Sequence, residues 1–312
     1  MNSAIFDSLW IEKYRPKTLK DIILPKETIE SINSFKKKDA YPNLFLCSRP
    51  GQGKTSLAHI LTTEFDSESL YINCSDENNV DTVRTKISDF ARTRSFNGRF
   101  KTIILDEADG FANIQSQKIL RALMEEVAAN TRFIITANYK NRIIDAVRSR
   151  CQVLDVTPAK EDIARRIIYI LQTENVEVTR EDIPKIFSVV TRYYPDVRSV
   201  IKNIQASVHN GKLEIRCVKT DAEFMNGIYS LMRENKWLEL REYIVLNENL
   251  FNYDYVELLN DFYHFMIDIA DLEASVKAKW AVTIAEYLYR SESINDQEIN
   301  TTACFYTLMG VV

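Results

Sequence analysis

The sequence predicts an α/β fold in which a P-loop domain built on a parallel sheet is followed by a small helical block and then an all-helical one. Three observations carry this. Between residues 41 and 156 short β-rich runs alternate with helical patterns, which reads as strands joined by crossover helices. The first run, Leu44-Phe45-Leu46-Cys47, leads directly into Ser48-Arg49-Pro50-Gly51-Gln52-Gly53-Lys54-Thr55, a loop of the kind that cradles phosphate. After Pro195 the chain holds no proline, and Val256, Leu259, Tyr263, Met266 and Ile269 recur at helical spacing.

Taken in order, the expected strands are 44–47, 70–73, 102–105, 133–136 and 153–156, with a helix beginning at Ser56 after the loop. Thr157-Pro158-Ala159-Lys160-Glu161-Asp162 then breaks the alternation with a proline and helix-start residues, so a boundary is expected after Val156. Helices are predicted over 163–172, 180–193 and 195–209, closed by Asn210-Gly211. The domains so defined are 1–156, 157–220 and 221–312. Aromatics of the last, including Tyr253, Tyr255, Phe262, Tyr263 and Phe265, are expected in its core, with an oligomer interface as the alternative.

Composition narrows the function classes. A chain of 312 residues with 46% apolar content can bury more than one core, and its apolar runs fall far short of a membrane span. The first residues lack a basic stretch before their short apolar run, so secretion is not expected. Five widely spaced cysteines and three histidines, with no C-x-x-C pair, fit a reducing cytoplasm and exclude a zinc ribbon. The net charge of −4 argues against coating nucleic acid by bulk attraction, so any such contact must come from a local patch.

The chemistry-bearing residues fall at the ends of the expected strands. Gly51 and Gly53, two of only seven glycines, let consecutive N–H groups turn around phosphate oxygens; Lys54 neutralises charge, and the Thr55 hydroxyl is a Mg2+ ligand. The usual first glycine of this loop is Ser48 here. The run 102–105 ends in Asp106-Glu107-Ala108-Asp109, where Asp106 is placed to hold Mg2+ and Glu107 to polarise an attacking water. Asn138 follows the next strand and is suited to water or γ-phosphate, although asparagine after a strand is also ordinary turn chemistry. Arg150, with Arg148 second, precedes the last strand, where an arginine can reach a neighbouring subunit's phosphate. Arg198 stands in the first turn of a helix capped by Asp196, a position that favours an anion partner.

These landmarks occur in the order found in AAA+ ATPases. Trp10-Ile11-Glu12-Lys13-Tyr14-Arg15-Pro16, Ser149-Arg150-Cys151 and the segment from Gln117 to Glu125 further resemble sliding-clamp-loader ATPase subunits, over essentially the whole chain. The resemblance implies an AAA+ domain, a helical lid and a helical collar in a five-subunit ring, with the sliding clamp, other loader subunits and primer-template DNA as partners. Serine in the first glycine position looks most like T-even-type phage loaders; a replication-factor-C small subunit is the close alternative. By the same likeness Ile11, Glu12, Lys13 and Tyr14 face the base, Ile23 packs on adenine, and Gly51, Gln52, Gly53, Lys54, Thr55 and Ser56 hold the phosphates. Asn138 becomes sensor 1, Arg198 sensor 2, Arg150 the finger acting on a neighbour, and Gln117 the residue coupling DNA contact to Glu107.

A DNA-facing stripe is also expected. Val80, Val83, Ile87, Phe90 and Ala91 define a buried helical face, leaving Arg84, Ser88 and Arg92 at i, i+4 and i+8 on another. A solvated basic face is the plainer reading, but clamp loaders line their channel with this helix. The likeness also makes Phe96 a clamp contact, with a core role the alternative. Two other functions compete: a helicase, which needs a second ATPase-like domain this chain lacks, and a ring subunit that binds ATP without turnover, which has no need of Lys54, Glu107 and Arg150 together.

Overall fold

The computed structural model describes residues 9–76, 83–95, 98–111, 114–209, 211–215, 221–251, 253–269, 272–291 and 293–310. Phe96 and Val80 lie outside them. The chain divides into two compact units, Met1–Ile215 and Arg216–Val312.

The first unit opens with the short helix α1 (Trp10–Lys13) and helix α2 (Lys26–Lys38). Then follow β1 (Leu44–Cys47), α3 (Lys54–Glu64), β2 (Ser69–Asn73), a π-helical turn (Val83–Ile87) running into α4 (Ser88–Arg92), and β3 (Lys101–Asp106). Helix α5 (Ile114–Glu126), β4 (Thr131–Ala137), α6 (Asp145–Arg148) and β5 (Gln152–Leu154) complete the α/β part. All strand pairings in this sheet are parallel, in the order β2-β3-β4-β1-β5.

Alternation of side chains across the pleat explains the continuous apolar runs. Phe45, Ile103, Leu105, Phe133 and Ile135 enter one core with Ile87, Leu120 and Met124, while Leu44, Leu46, Ile104 and Ile134 enter the opposite one with Ile32, Phe35, Leu57 and Leu61. The three central strands β1, β3 and β4 are therefore buried on both faces, with their polar residues at or next to their ends, whereas the edge strands β2 and β5 are partly exposed. That pattern places chemistry at the carboxyl edge of the sheet, where β3, β4 and β1 lie side by side.

Helices α7 (Lys160–Thr173), α8 (Asp182–Tyr193) and α9 (Val197–Ala206) follow within the same unit. Their core is built on Ile163, Ile167, Ile170, Ile186, Val190, Val200 and Ile204, and it also takes Trp10. The Trp10 backbone N–H donates to Gln205 Oε1 at 3.0 Å, so the first described helix joins the last helices of the unit. The helix expected to run to His209 instead stops at Ala206, and Gly211, at φ 74°, turns a two-residue hairpin of β6 (Val208–His209) and β7 (Lys212–Leu213). An L side chain rarely adopts that φ, which is why glycine sits there.

A second expectation fails in the α4 region. The π-helical turn at Val83–Ile87 changes the residue-per-turn count just before α4, and Ser88 comes out buried at 7% exposure. Buried Ser88 therefore interrupts the expected exposed stripe of Arg84, Ser88 and Arg92; the Arg84 side chain lies outside the described ones. Arg92 is exposed and paired with Glu126, Nε to Oε1 at 2.9 Å and Nη2 to Oε2 at 3.2 Å.

The second unit is all-helical among the described residues: α10 (Asp221–Arg233), α11 (Trp237–Leu246), α12 (Tyr255–Asp268), α13 (Ala274–Arg290) and α14 (Gln297–Met309). Asp254 and Asp296 cap α12 and α14 by accepting backbone N–H groups. Phe262, Trp280, Phe305 and Tyr255 are buried in its core and Tyr263 and Phe265 pack against it, whereas Tyr253 is exposed. No described helix is long and apolar enough to cross a membrane.

Candidate nucleotide site

A cleft of about 270 Å3 opens at the carboxyl edge of the sheet. Its lining divides chemically. Ile11, Tyr14, Pro16, Ile22, Ile23, Val197 and Ile201 supply an apolar end suited to a planar base, while Lys54, Thr55, Asp106, Glu107, Thr136 and Asn138 supply a polar end suited to phosphate and a hard cation. Glu12, Gly51, Gln52, Gly53, Ser56 and Arg198 line it as well.

The loop between β1 and α3 has the backbone its glycines require. Gly51 and Gly53 have φ of 77° and 87°, and Gly53 is the N-cap from which α3 starts at Lys54. The helix N-terminus, with its unpaired N–H groups, thus faces the polar end. Ser48 is absent from the positive-φ residues and contributes its carbonyl, which accepts from Lys54 Nζ at 2.7 Å. A serine is therefore accommodated where the usual loop has glycine. Lys54 also donates to Arg49 O and Asn138 Oδ1, each at 2.9 Å, and burial pushes its ammonium below the ordinary lysine value. The lysine is held by the ends of two neighbouring strands, β1 and β4.

Gly51 has a second reason to be glycine. A Cβ there would stand 1.7 Å from Oδ1 of Asp196, the residue that caps α9 by accepting the Ser199 N–H at 3.1 Å. The cap of the helix carrying Arg198 thus sits directly on the phosphate loop. Gly51→Ala is expected to weaken ATP binding by tenfold or more, because a left-handed alanine costs about 1–2 kcal/mol and the cap must also move. Nucleotide titration by equilibrium fluorescence checks it, and an affinity within twofold of wild type would sink the argument.

Asp106 ends β3 and accepts three hydroxyls: Thr55 Oγ1 at 2.8 Å to Oδ1 and 3.0 Å to Oδ2, Thr136 Oγ1 at 2.6 Å to Oδ1, and Tyr71 OH at 2.9 Å to Oδ2. Because Thr55 spends its one proton on this carboxylate, its oxygen lone pairs remain for a cation. Hydroxyl and carboxylate are the hard oxygen ligands Mg2+ takes, and it is commonly held by one or two protein groups plus phosphates. Thr55 and Asp106 together fit a Mg2+ whose remaining ligands are nucleotide phosphates and water.

Glu107 has φ of 52°, a strained conformation for a residue of its kind, and its N–H donates to Thr136 Oγ1 at 3.0 Å. Its carboxylate accepts from Ser75 Oγ at 2.8 Å. Gly110 permits that contact, since a Cβ there would come within 2.9 Å of Ser75 Cα. Asp109 Oδ2 accepts the N–H groups of Asn138 and Tyr139 at 3.2 and 3.3 Å, tying the turn after β3 to the end of β4.

Two expected roles, those of Lys13 and Gln117, meet a different placement, and a third, that of Arg150 on a neighbouring subunit, is not one a single chain displays. Lys13 does not line the cleft; its ammonium pairs with Glu174 Oε1 at 2.6 Å, at the carboxyl end of α7, and the Tyr14 hydroxyl donates to the same carboxylate. Gln117 is buried, and its amide clasps the segment after β4, Nε2 to Arg142 O and Oε1 from Ile144 N, both at 2.8 Å; neither bond goes to Glu107. Arg150 also lies outside the cleft of its own chain, with Nε donating to Glu125 Oε1 at 2.8 Å. Arg15, Arg166, Thr136 and Tyr71 have no role assigned from sequence, although Arg15 belongs to the Trp10–Pro16 motif and Thr136 is a hydroxyl near the end of an apolar run.

This arrangement, a P-loop and two strand-end carboxylates on a β2-β3-β4-β1-β5 sheet, defines an AAA+ ATPase. Residues 44–158 match the family described as AAA, ATPase family associated with various cellular activities. Two RuvB mutant structures from Thermotoga maritima share the fold, at TM-scores of 0.53 and 0.54 with 15% and 14% identity, covering 70% and 71% of this chain and 80% and 81% of theirs. The chain is 39% identical over 222 residues to a replication factor C small subunit of Staphylothermus marinus, covering 69% of this chain and 66% of the relative. It is 36% identical to that of Sulfolobus acidocaldarius, covering 78% and 77%, and 32% identical to small subunit 1 of Pyrobaculum islandicum, covering 93% and 91%. The chain belongs to the replication factor C small-subunit family.

Proposed function

We propose that this chain is the ATPase subunit of a ring-shaped sliding-clamp loader, in which ATP binding holds the clamp open on primer-template DNA and hydrolysis releases it. The observation that carries the reading is the seating of the α9 cap on the phosphate loop, Asp196 against Gly51. Nucleotide in the cleft then bears on both the sheet and the helices that follow it. Residues 157–220 act as the lid and 221–312 as the oligomerising collar. Population shift supplies the logic: ATP favours the clamp-competent ring only as far as it binds that state more tightly.

Within the cleft, Lys54 and the N–H groups at the start of α3 take the phosphates, Asn138 orients the γ-phosphate side, and Arg198 approaches from α9. Thr55 and Asp106 hold Mg2+, which supplies neutralising charge on the phosphate oxygens when bound. Glu107 accepts a proton from the attacking water. Arg84 and Arg92 are assigned to DNA phosphates; Arg92 leaves an exposed ion pair with Glu126 to do so, at a cost of about 0–1 kcal/mol. Phe96 is assigned to the clamp, and Gln117 transmits DNA contact through the segment after β4. The narrower reading as a T-even phage-type loader acting in its host's cytoplasm rests on Ser48.

The test is ATP turnover by the assembled complex, alone and with clamp plus primed DNA. Turnover is expected to rise severalfold with both present. Equal rates in every condition would overturn the clamp-loading role.

A further inference from the structure

We propose that Tyr71 is a positioning residue for the cation site, fixing Oδ2 of Asp106 so that the carboxylate keeps its aim when Mg2+-nucleotide binds. The inference rests on the reading of the cleft as a Mg2+-ATP site and adds to it a residue outside the P-loop and the strand-end acids.

β2 is an edge strand, paired to β3 with Tyr71 opposite Ile104 and Asn73 opposite Asp106. Tyr71 is therefore a diagonal neighbour of Asp106, two residues along β3 from its direct partner, a gap that only a long side chain spans. Its hydroxyl covers that gap and donates to Oδ2 at 2.9 Å. The ring also stacks on His59 of α3, with centroids 5.2 Å apart and planes inclined at 27°. The phenol is thus clamped between the helix that follows the phosphate loop and the acid that ends β3.

The division of donors gives the residue its use. Thr136 fixes Oδ1 at 2.6 Å, Tyr71 fixes Oδ2, and Thr55 reaches both oxygens. Thr55 lies between the two oxygens and so selects neither, whereas Thr136 and Tyr71 are each a donor to one oxygen alone. A carboxylate held at a single oxygen still rotates about its Cβ–Cγ bond, whereas one held at both does not. Outer partners of this sort change metal affinity or activity by about 10–100-fold when removed.

The experiment uses the full chain and a fluorescent non-hydrolysable ATP analogue, titrated with Mg2+ and separately in EDTA. Tyr71→Phe keeps the ring and its stack and removes only the donor; Tyr71 is 43% exposed, so the fold does not depend on that hydroxyl. The Mg2+ concentration for half-maximal enhancement of binding is expected to rise about tenfold, with affinity in EDTA unchanged. Tyr71→Leu, which removes ring and hydroxyl together, is expected to match Tyr71→Phe within about twofold on the same grounds. A wild-type Mg2+ response in Tyr71→Phe overturns the proposal, as does an equal loss with and without Mg2+. If the unmutated chain binds the analogue without any Mg2+ response, the Mg2+-ATP reading itself fails, a result distinct from either.

Discussion

Glu107→Gln is expected to slow ATP hydrolysis by about 10²–10⁴-fold while leaving ATP affinity within a few-fold of wild type, the range a positioned general base contributes. The substitution preserves volume and the contacts that shape the turn. The Glu107 N–H still donates to Thr136 Oγ1 and the residue still occupies φ of 52°. What disappears is the negative acceptor at the side-chain tip, now bonded to the Ser75 hydroxyl, that would take a proton from water. Lys54, Thr55 and Asp106, which hold phosphate and cation, are untouched, so binding and chemistry should separate. Single-turnover hydrolysis beside a nucleotide titration measures both; a rate loss below tenfold, or a parallel loss of affinity, would remove Glu107 from the role of base.

The residues that make this prediction possible were legible because each is marked by its own immediate sequence neighbours. A phosphate loop needs glycines at two specific turns, and a strand buried on both faces leaves its first polar residues at its end, so Gly51, Gly53, Asp106 and Asn138 announce themselves locally. The contacts that needed the fold are those made across strands or between distant segments. Tyr71 reads as an ordinary β-strand aromatic until the parallel register brings it beside Asp106. Trp10 reads as the start of the first domain, yet its indole is buried among helices that begin 150 residues later. Lys13 looks like part of a base-binding run, but its carboxylate partner, Glu174, comes within reach only once the end of α7 lies beside α1. The stripe of Arg84, Ser88 and Arg92 failed for a different reason: counting by four assumes α-helical turns throughout, and a π-helical turn in that segment shifts the faces.

Arg150 carries the other large expectation. Within its own chain it is outside the cleft and engaged by Glu125, through Nε at 2.8 Å and through Nη2, and Arg121 approaches the same acid at 4.0 Å. An arginine so placed does not serve the phosphates of its own chain, and we propose that it acts on those of a neighbour in the assembly. Two energies decide whether it leaves Glu125. The pair is partly exposed, with side chains 31% and 47% accessible, and such a bridge holds by about 0–1 kcal/mol. An arginine on a transferring phosphoryl group is worth about 10³–10⁵ in rate, several times that energy, so the neighbour's site wins once it is within reach. Arg150→Ala is accordingly expected to lower turnover of the assembled complex by about 10³-fold while each chain keeps its own ATP affinity. Mixing settles where the arginine acts: Arg150→Ala subunits retain an intact Lys54, Lys54→Ala subunits retain Arg150, and a ring containing both rebuilds complete sites wherever the two kinds adjoin in the right order. Partial recovery of turnover in the mixture is the expected result, and a mixture as inactive as either variant alone would mean that Arg150 does not complete a neighbour's site.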